Sequence, residues 1–171
     1  MIRSLKSGHL LILLEILVAA ALVLTIVLVL GNQVDRGRTA DALAAAAESA
    51  MADVSRTREG KGWELLKYYG IDEDGTDGFR LLLPATNMDA AELCVVKCRD
   101  EASARAAAAA MKARLEEQVR LFEHYGVEQM KLLNAARFFS TGPYAVLIID
   151  TRAGDAAAEV LRLTGGRAEN P

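Results

Sequence analysis

The 171-residue sequence is short of cysteine and histidine, with two of each, and its charge is nearly balanced. Two cysteines exclude a small fold held by several disulfides, because such frameworks usually contain four or more cysteines. The low histidine content leaves few ligands for a zinc site. A formal net charge of −3 excludes the strongly basic surface that nucleic-acid binding requires, so no nucleic-acid partner is expected.

The short motifs of common active sites are also missing. The sequence contains no Gly-x-Ser-x-Gly of hydrolases, no phosphate-binding Walker loop, no Gly-x-Gly-x-x-Gly and no His-Glu-x-x-His of metalloproteases. We therefore expect no catalytic residue, no cofactor and no bound metal, and a role other than catalysis.

One long apolar run is present, at residues 10–30, where 19 of 21 residues are apolar. As a helix it would span about 31 Å, which matches a hydrocarbon core of about 30 Å. Arg3 and Lys6 precede the run, and no small-x-small cleavage site follows it. The pattern predicts an uncleaved, single-pass signal anchor in contact with membrane lipid. A short N-terminus before a long domain favours an N-in orientation, with the domain outside the cytoplasm.

The run divides the chain into five expected parts. These are a cytoplasmic N-terminus at residues 1–9, a transmembrane anchor at 10–30, a juxtamembrane linker at 31–38, an α+β domain at 39–166 and a frayed tail at 167–171. Without the run, about 47% of the chain is apolar, which is ordinary for one globular domain.

A second interpretation of the N-terminus is a prepilin-like signal, in which a glycine precedes the apolar helix and a glutamate follows. Gly8 and Glu15 have this order, but they are seven positions apart instead of five, and His9 is unusual as the first mature residue. A minor pilin-like subunit is therefore an alternative function.

The remaining sequence predicts helices and strands in an order typical of α+β domains. Thr39 and Asp100 are expected to cap the first and the longest helix, and Gly126 to end the longest one in a left-handed conformation. Predicted helices cover residues 39–53, 63–69, 100–125, 127–135 and 156–163, and predicted strands cover 79–83, 92–98, 137–140 and 144–149. We expect three or four mainly antiparallel strands with helices packed on one face.

Three groups of residues could carry chemistry. Asp72, Glu73, Asp74 and Asp77 suggest a calcium or small-ligand site, although their spacing fails the EF-hand pattern and favours a solvated turn. Cys94 and Cys98 lie about 13 Å apart on one strand, too far for a disulfide, and are expected to be buried and inert. His124 is expected near a helix C-terminus, where the helix dipole favours a cation.

An ordered set of short stretches extends over roughly residues 40–163. It comprises residues 65–72, 83–84, 86–88, 91–93, 95–97, Gln118, Phe122, 125–126, 128–129, 132–133, Gly142 and 144–149. Together these stretches resemble a bacterial family of unknown function, found in short Gram-positive envelope proteins that carry a lipoprotein signal or a membrane anchor. The resemblance implies an envelope-facing domain and brings no activity, cofactor or catalytic residue. We expect a binding or structural module with a protein partner; a metal- or small-ligand-binding domain is the remaining alternative.

Overall fold

The computed structural model describes residues 15–25, 38–124 and 126–167. The chain forms two units, Met1–Gly37 and Arg38–Pro171. In the first unit, residues 15–25 are helical. Gly8 and His9, on which the pilin-like interpretation depends, lie outside the described residues.

The expected N-terminal transmembrane helix is not supported, and this part of the predicted fold class is corrected. No helix among the described residues is both long and apolar enough to cross a membrane. Of the predicted span, the structure describes the eleven residues 15–25, a length of about 16 Å at ~1.5 Å per residue. Residues 10–14 and 26–30 lie outside the described residues.

The second unit combines five helices of at least two turns with five strands. In chain order they are α1 (Ala40–Ala50), β1 (Thr57–Glu59), α2 (Gly62–Tyr69), β2 (Thr76–Pro84), β3 (Glu92–Cys98), α3 (Glu101–Phe122), α4 (Val127–Ala135), β4 (Arg137–Thr141), β5 (Tyr144–Ile149) and α5 (Ala153–Thr164). Short 3₁₀ turns at Val54–Arg56 and Glu73–Gly75 precede β1 and β2.

The strands form one fully antiparallel sheet in the order β1-β2-β3-β5-β4. The α+β class is confirmed, but the expected count of three or four strands is wrong. The missed strand is β1, which has three polar residues and no apolar alternation. Its pairing with Leu82, Leu83 and Pro84 of β2 is made by the backbone, so the side chains gave no signal.

Helices cover both faces of the sheet, which corrects the expected packing on one face. Cys94 and Val96 of β3 point into a core with α2, α3 and α4, whereas Leu93 and Val95 point into a second core with α1 and α5. Successive side chains of a strand alternate between faces. An apolar strand such as β5, buried at all six positions, therefore needs a cover on each side.

Side-chain caps predicted from the sequence begin two of the five helices of the second unit. Thr39 accepts a hydrogen bond from the Ala42 backbone N–H at 3.1 Å, and Asp100 accepts one from Ser103 at 2.7 Å, as predicted for helix caps. Gly126 was expected to end α3, but it has a φ of −99° and stands before α4. The helix α3 ends at Phe122.

Candidate ligand-binding cleft

An open cleft of about 370 Å³ lies on the α2/α3 side of the sheet. Its walls come from β1, α2, the end of β2, the loop from β2 to β3, and the C-terminal half of α3. The lining residues are Arg58, Tyr68, Leu83, Pro84, Ala85, Thr86, Asn87, Asp89, Arg114, Gln118, Leu121 and Phe122. The volume is within the range of small-molecule sites, about 300–1,000 Å³.

Arg114, which lines the cleft, belongs to a buried ion pair whose carboxylate is not exposed in the cleft. Glu92, the first residue of β3, is fully buried, and Arg114 of α3 is 8% exposed. The guanidinium lies side-on against the carboxylate, with Nε to Oε1 at 3.2 Å and Nη2 to Oε2 at 3.0 Å. Burial works to lower the pKa of Arg114, but the adjacent Glu92 carboxylate outweighs it, so the pKa is raised and Arg114 stays charged.

Two further donors complete the shell around the Glu92 carboxylate. The Tyr69 hydroxyl donates to Oε1, and the Gln118 side-chain amide donates to Oε2 at 3.4 Å. Burial, followed by the Glu92 charge, raises the pKa of Tyr69 well above its ordinary value, so the hydroxyl keeps its proton and acts as a donor. Because four donors surround Glu92, its burial as an anion is compensated.

Tyr68 covers the Arg114 side chain at the wall of the cleft. The Arg114 guanidinium carbon lies 4.6 Å from the Tyr68 ring centroid, and the Lys67 ammonium lies 4.9 Å from the same centroid. Cations near an aromatic ring are attracted by its quadrupole. The ring therefore helps to hold the guanidinium in one orientation.

A second arginine reaches the cleft from the short edge strand. Arg58 of β1 donates to both carboxylate oxygens of Glu64, at 2.6 and 3.1 Å. Glu64 also accepts a hydrogen bond from the backbone N–H of Lys61, at the start of α2. The Arg58 hydrogen bond lowers the pKa of Glu64. Arg58 is 48% exposed and its direction is set by this bidentate contact.

The loop from β2 to β3 is held by a third pair. Arg56 donates to both oxygens of Asp89, at 2.8 and 2.7 Å, and Asp89 also accepts from the backbone N–H groups of Ala90 and Ala91. Partial burial raises the pKa of Asp89, but the hydrogen bonds from Arg56 and the backbone outweigh it and lower the pKa overall. These contacts hold the Thr86–Asn87 side of the cleft.

None of the three groups singled out from the sequence lines this cleft. Asp72 accepts a hydrogen bond from the backbone N–H of Asp74, within the turn before β2. No three His, Cys, Asp or Glu side chains in the described part of the chain converge as metal ligands. His124 is exposed, at 3.2 Å from Glu123. Cys94 and Cys98 are buried and unpaired, as predicted.

The apolar spacing of α3 runs from Met111 through Leu115 and Val119, which are half-buried, and it therefore does not select Arg114. Gln118 enters the sequence analysis through the family resemblance and without a role. Arg114 and Gln118 are more deeply buried. A signal was present, since Ala107, Met111, Arg114 and Gln118 follow helical spacing. In this series, however, two polar residues follow two apolar ones. Apolar patterning by itself assigns polar residues to the solvent-facing side of a helix.

The fold and the cleft define a small α+β domain with an open cleft above a buried ion pair. The chain belongs to the family described as a domain of unknown function (DUF4358), whose model matches residues 50–150. This confirms the resemblance to a family of unknown function. The match contains every residue that lines the cleft. No curated protein and no solved structure matches the chain.

Proposed function

We propose that this domain is a binding module whose cleft holds part of a protein partner. The observation that carries the proposal is the open cleft itself, which is lined by the arginine of an ion pair whose carboxylate is fully satisfied. Burying two charges costs free energy, and a well-packed apolar pair would often serve stability as well. Polar side chains that are held in one orientation in the wall of an open cleft suit recognition of a ligand.

Exposed apolar side chains at the border of the cleft support a protein partner. Leu121 lines the cleft and is 52% exposed, and Met88 in the neighbouring loop is 62% exposed. The Gln129 side chain donates to the Met88 carbonyl at 2.7 Å, which holds α4 and its exposed Val127 beside that loop. Methionine and arginine are enriched in protein interfaces, and exposed apolar side chains that lie together mark interaction sites.

The test is photo-crosslinking from inside the cleft. A photoreactive amino acid replaces Leu121 or Asn87, and as a control Arg162, which lies on α5 across the sheet and is 67% exposed. In cells of the source organism we expect one common adduct from positions 121 and 87 that position 162 does not give. Absence of an adduct from both cleft positions, or the same adduct from all three, would overturn the proposal.

We further propose that the domain works in the cell envelope, outside the cytoplasm, as the resemblance to Gram-positive envelope proteins implies. Two unpaired thiols are tolerable in an oxidising compartment when they are buried, and Cys94 and Cys98 are 0% and 4% exposed. A reporter that is active only outside the cytoplasm, fused after Pro171, tests this location. If that reporter is inactive and a cytoplasmic reporter at the same position is active, the proposed location is contradicted.

A further inference from the structure

The hydrogen-bond acceptors of the carboxylates at the cleft are already occupied by protein donors. Asp89 accepts four hydrogen bonds, from Arg56 twice and from two backbone N–H groups. Glu64 accepts three, and Glu92 accepts four. A carboxylate offers about four acceptor positions, so little capacity is left at these groups for a ligand donor.

The two cleft arginines, in contrast, keep unused donors. A guanidinium has five N–H groups. The two Nη1–H groups of Arg58 donate to the Glu59 carbonyl and to Glu64, and one Nη2–H donates to Glu64. Its Nε–H and the other Nη2–H have no acceptor in the described chain. Arg114 uses Nε–H and one Nη2–H for Glu92, and Nη1 makes only a 3.5 Å contact with Glu117.

For ligand binding, the orientation of these donors matters more than the net charge of the three ion pairs. Arg56, Arg58 and Arg114 are matched by Asp89, Glu64 and Glu92, so the three pairs sum to zero charge. The carboxylates hold the two cleft guanidiniums, and the remaining N–H groups are pre-oriented. Pre-orientation reduces the entropy lost when a ligand binds. Planar guanidinium groups suit the oxygen pair of a carboxylate or phosphate.

We infer that the cleft binds an oxyanion of its ligand, a carboxylate or a phosphate, through Arg58 and Arg114. This inference rests on the proposed binding function and names the chemistry of that same site. A side chain or the chain end of a protein partner supplies a carboxylate, and a phosphorylated residue supplies a phosphate. The shared feature is a compact group of anionic oxygens that accepts the open N–H donors.

The direct test is an anion titration of the full chain that is monitored by NMR of the arginine Nε–H groups. The probes are sodium acetate, monomethyl phosphate and, as the uncharged control, acetamide, at ionic strength held constant with sodium chloride. We expect saturable shifts of the Arg58 and Arg114 resonances with acetate or with monomethyl phosphate, and none with acetamide. The anion that binds more tightly identifies the source. Equal responses to all three probes, or no response to either anion, would overturn the inference.

Three variants separate recognition from folding. Arg58→Gln is expected to weaken binding of the better anion by about 10-fold or more, since a hydrogen bond to a charged group contributes ~1.5 kcal/mol or more. Arg80→Gln is the matched control, because Arg80 also pairs with glutamates but contacts Glu48 of α1, on the opposite face. It should leave binding unchanged. Glu117→Gln removes a competing carboxylate and should tighten binding about threefold.

The outcomes distinguish this inference from the function on which it rests. If the cleft positions give a specific adduct but neither anion binds, the binding module is supported and the oxyanion site is contradicted. Anion binding without any cleft adduct would support the oxyanion site and remove the protein partner. If Arg58→Gln unfolds the domain, Glu117→Gln still decides, because unchanged or weaker anion binding in that variant contradicts the inferred geometry.

Discussion

The guanidinium of Arg114 lies side-on against the carboxylate of Glu92, with Nη2 and Oε2 3.0 Å apart, although the two residues are 22 positions apart in sequence. The pair joins α3 to the central strand β3, and its arginine lines the cleft. The pair therefore contributes both to the stability of the domain and to the lining of the cleft.

Removing Arg114 should destabilise the domain strongly. Arg114→Met leaves Glu92 buried without its cation, and breaking one partner of a buried pair costs about 3–5 kcal/mol. The measurement is the free energy of unfolding in urea. The control is Arg120→Met, exposed on the same helix, which should change it by less than about 0.5 kcal/mol. The double variant Glu92→Leu/Arg114→Met should recover part of the lost free energy of unfolding, because two apolar side chains need no counter-charge. Equal effects of Arg114→Met and Arg120→Met would contradict the structure.

Acid should destabilise the domain through Asp89 and Glu64. Both carboxyls have a lowered pKa in the folded state, against ordinary values of 3.8 and 4.5. Stability from such groups is present above the ordinary pKa and is lost as the pH falls through the lowered folded-state pKa. We expect the urea midpoint to fall below about pH 4.5, and to fall less steeply in Asp89→Asn. A variant with the same acid dependence as the native chain would show that Asp89 does not contribute.

The two thiols should be inert in the folded protein. Burial raises the pKa of Cys94 well above its ordinary value and raises that of Cys98 to about 11, so thiolate is scarce at neutral pH. Iodoacetamide followed by mass spectrometry should find both cysteines unmodified in the native chain and both modified in urea. Native labelling as fast as in urea would show that β3 is accessible.

Gly60 should not tolerate a side chain. A Cβ at this position would lie 2.6 Å from Cγ of the buried Leu81, while the Gly60 N–H donates to the Leu81 carbonyl at 2.8 Å. Gly60→Ala should cost about 1–3 kcal/mol, as overpacking does. Gly75→Ala is the control, because a Cβ there meets no atom within 4 Å. Thermal unfolding of both variants is the measurement, and equal melting temperatures would contradict the packing at Gly60.

Local patterns were sufficient for many elements of the second unit. The strand β3 and the helix α4 have the predicted bounds, and Gly70 ends α2 in a left-handed conformation with φ 66°. These features depend on residues that are adjacent in the chain. On α2, the apolar pattern does not decide which leucine faces the core, since Leu65 is fully buried whereas Leu66 is 52% exposed.

The sequence by itself determined the α+β class, the family and most boundaries, because caps, turns and apolar alternation act over a few residues. The tertiary structure alone decided that β1 joins the sheet, that helices cover both faces, and that Arg58 and Arg114 reach one cleft. Backbone pairing of β1 and the Arg114–Glu92 contact join residues more than twenty positions apart. Local patterns carry no information about such contacts. They also do not distinguish a charged residue that is buried from one that is exposed.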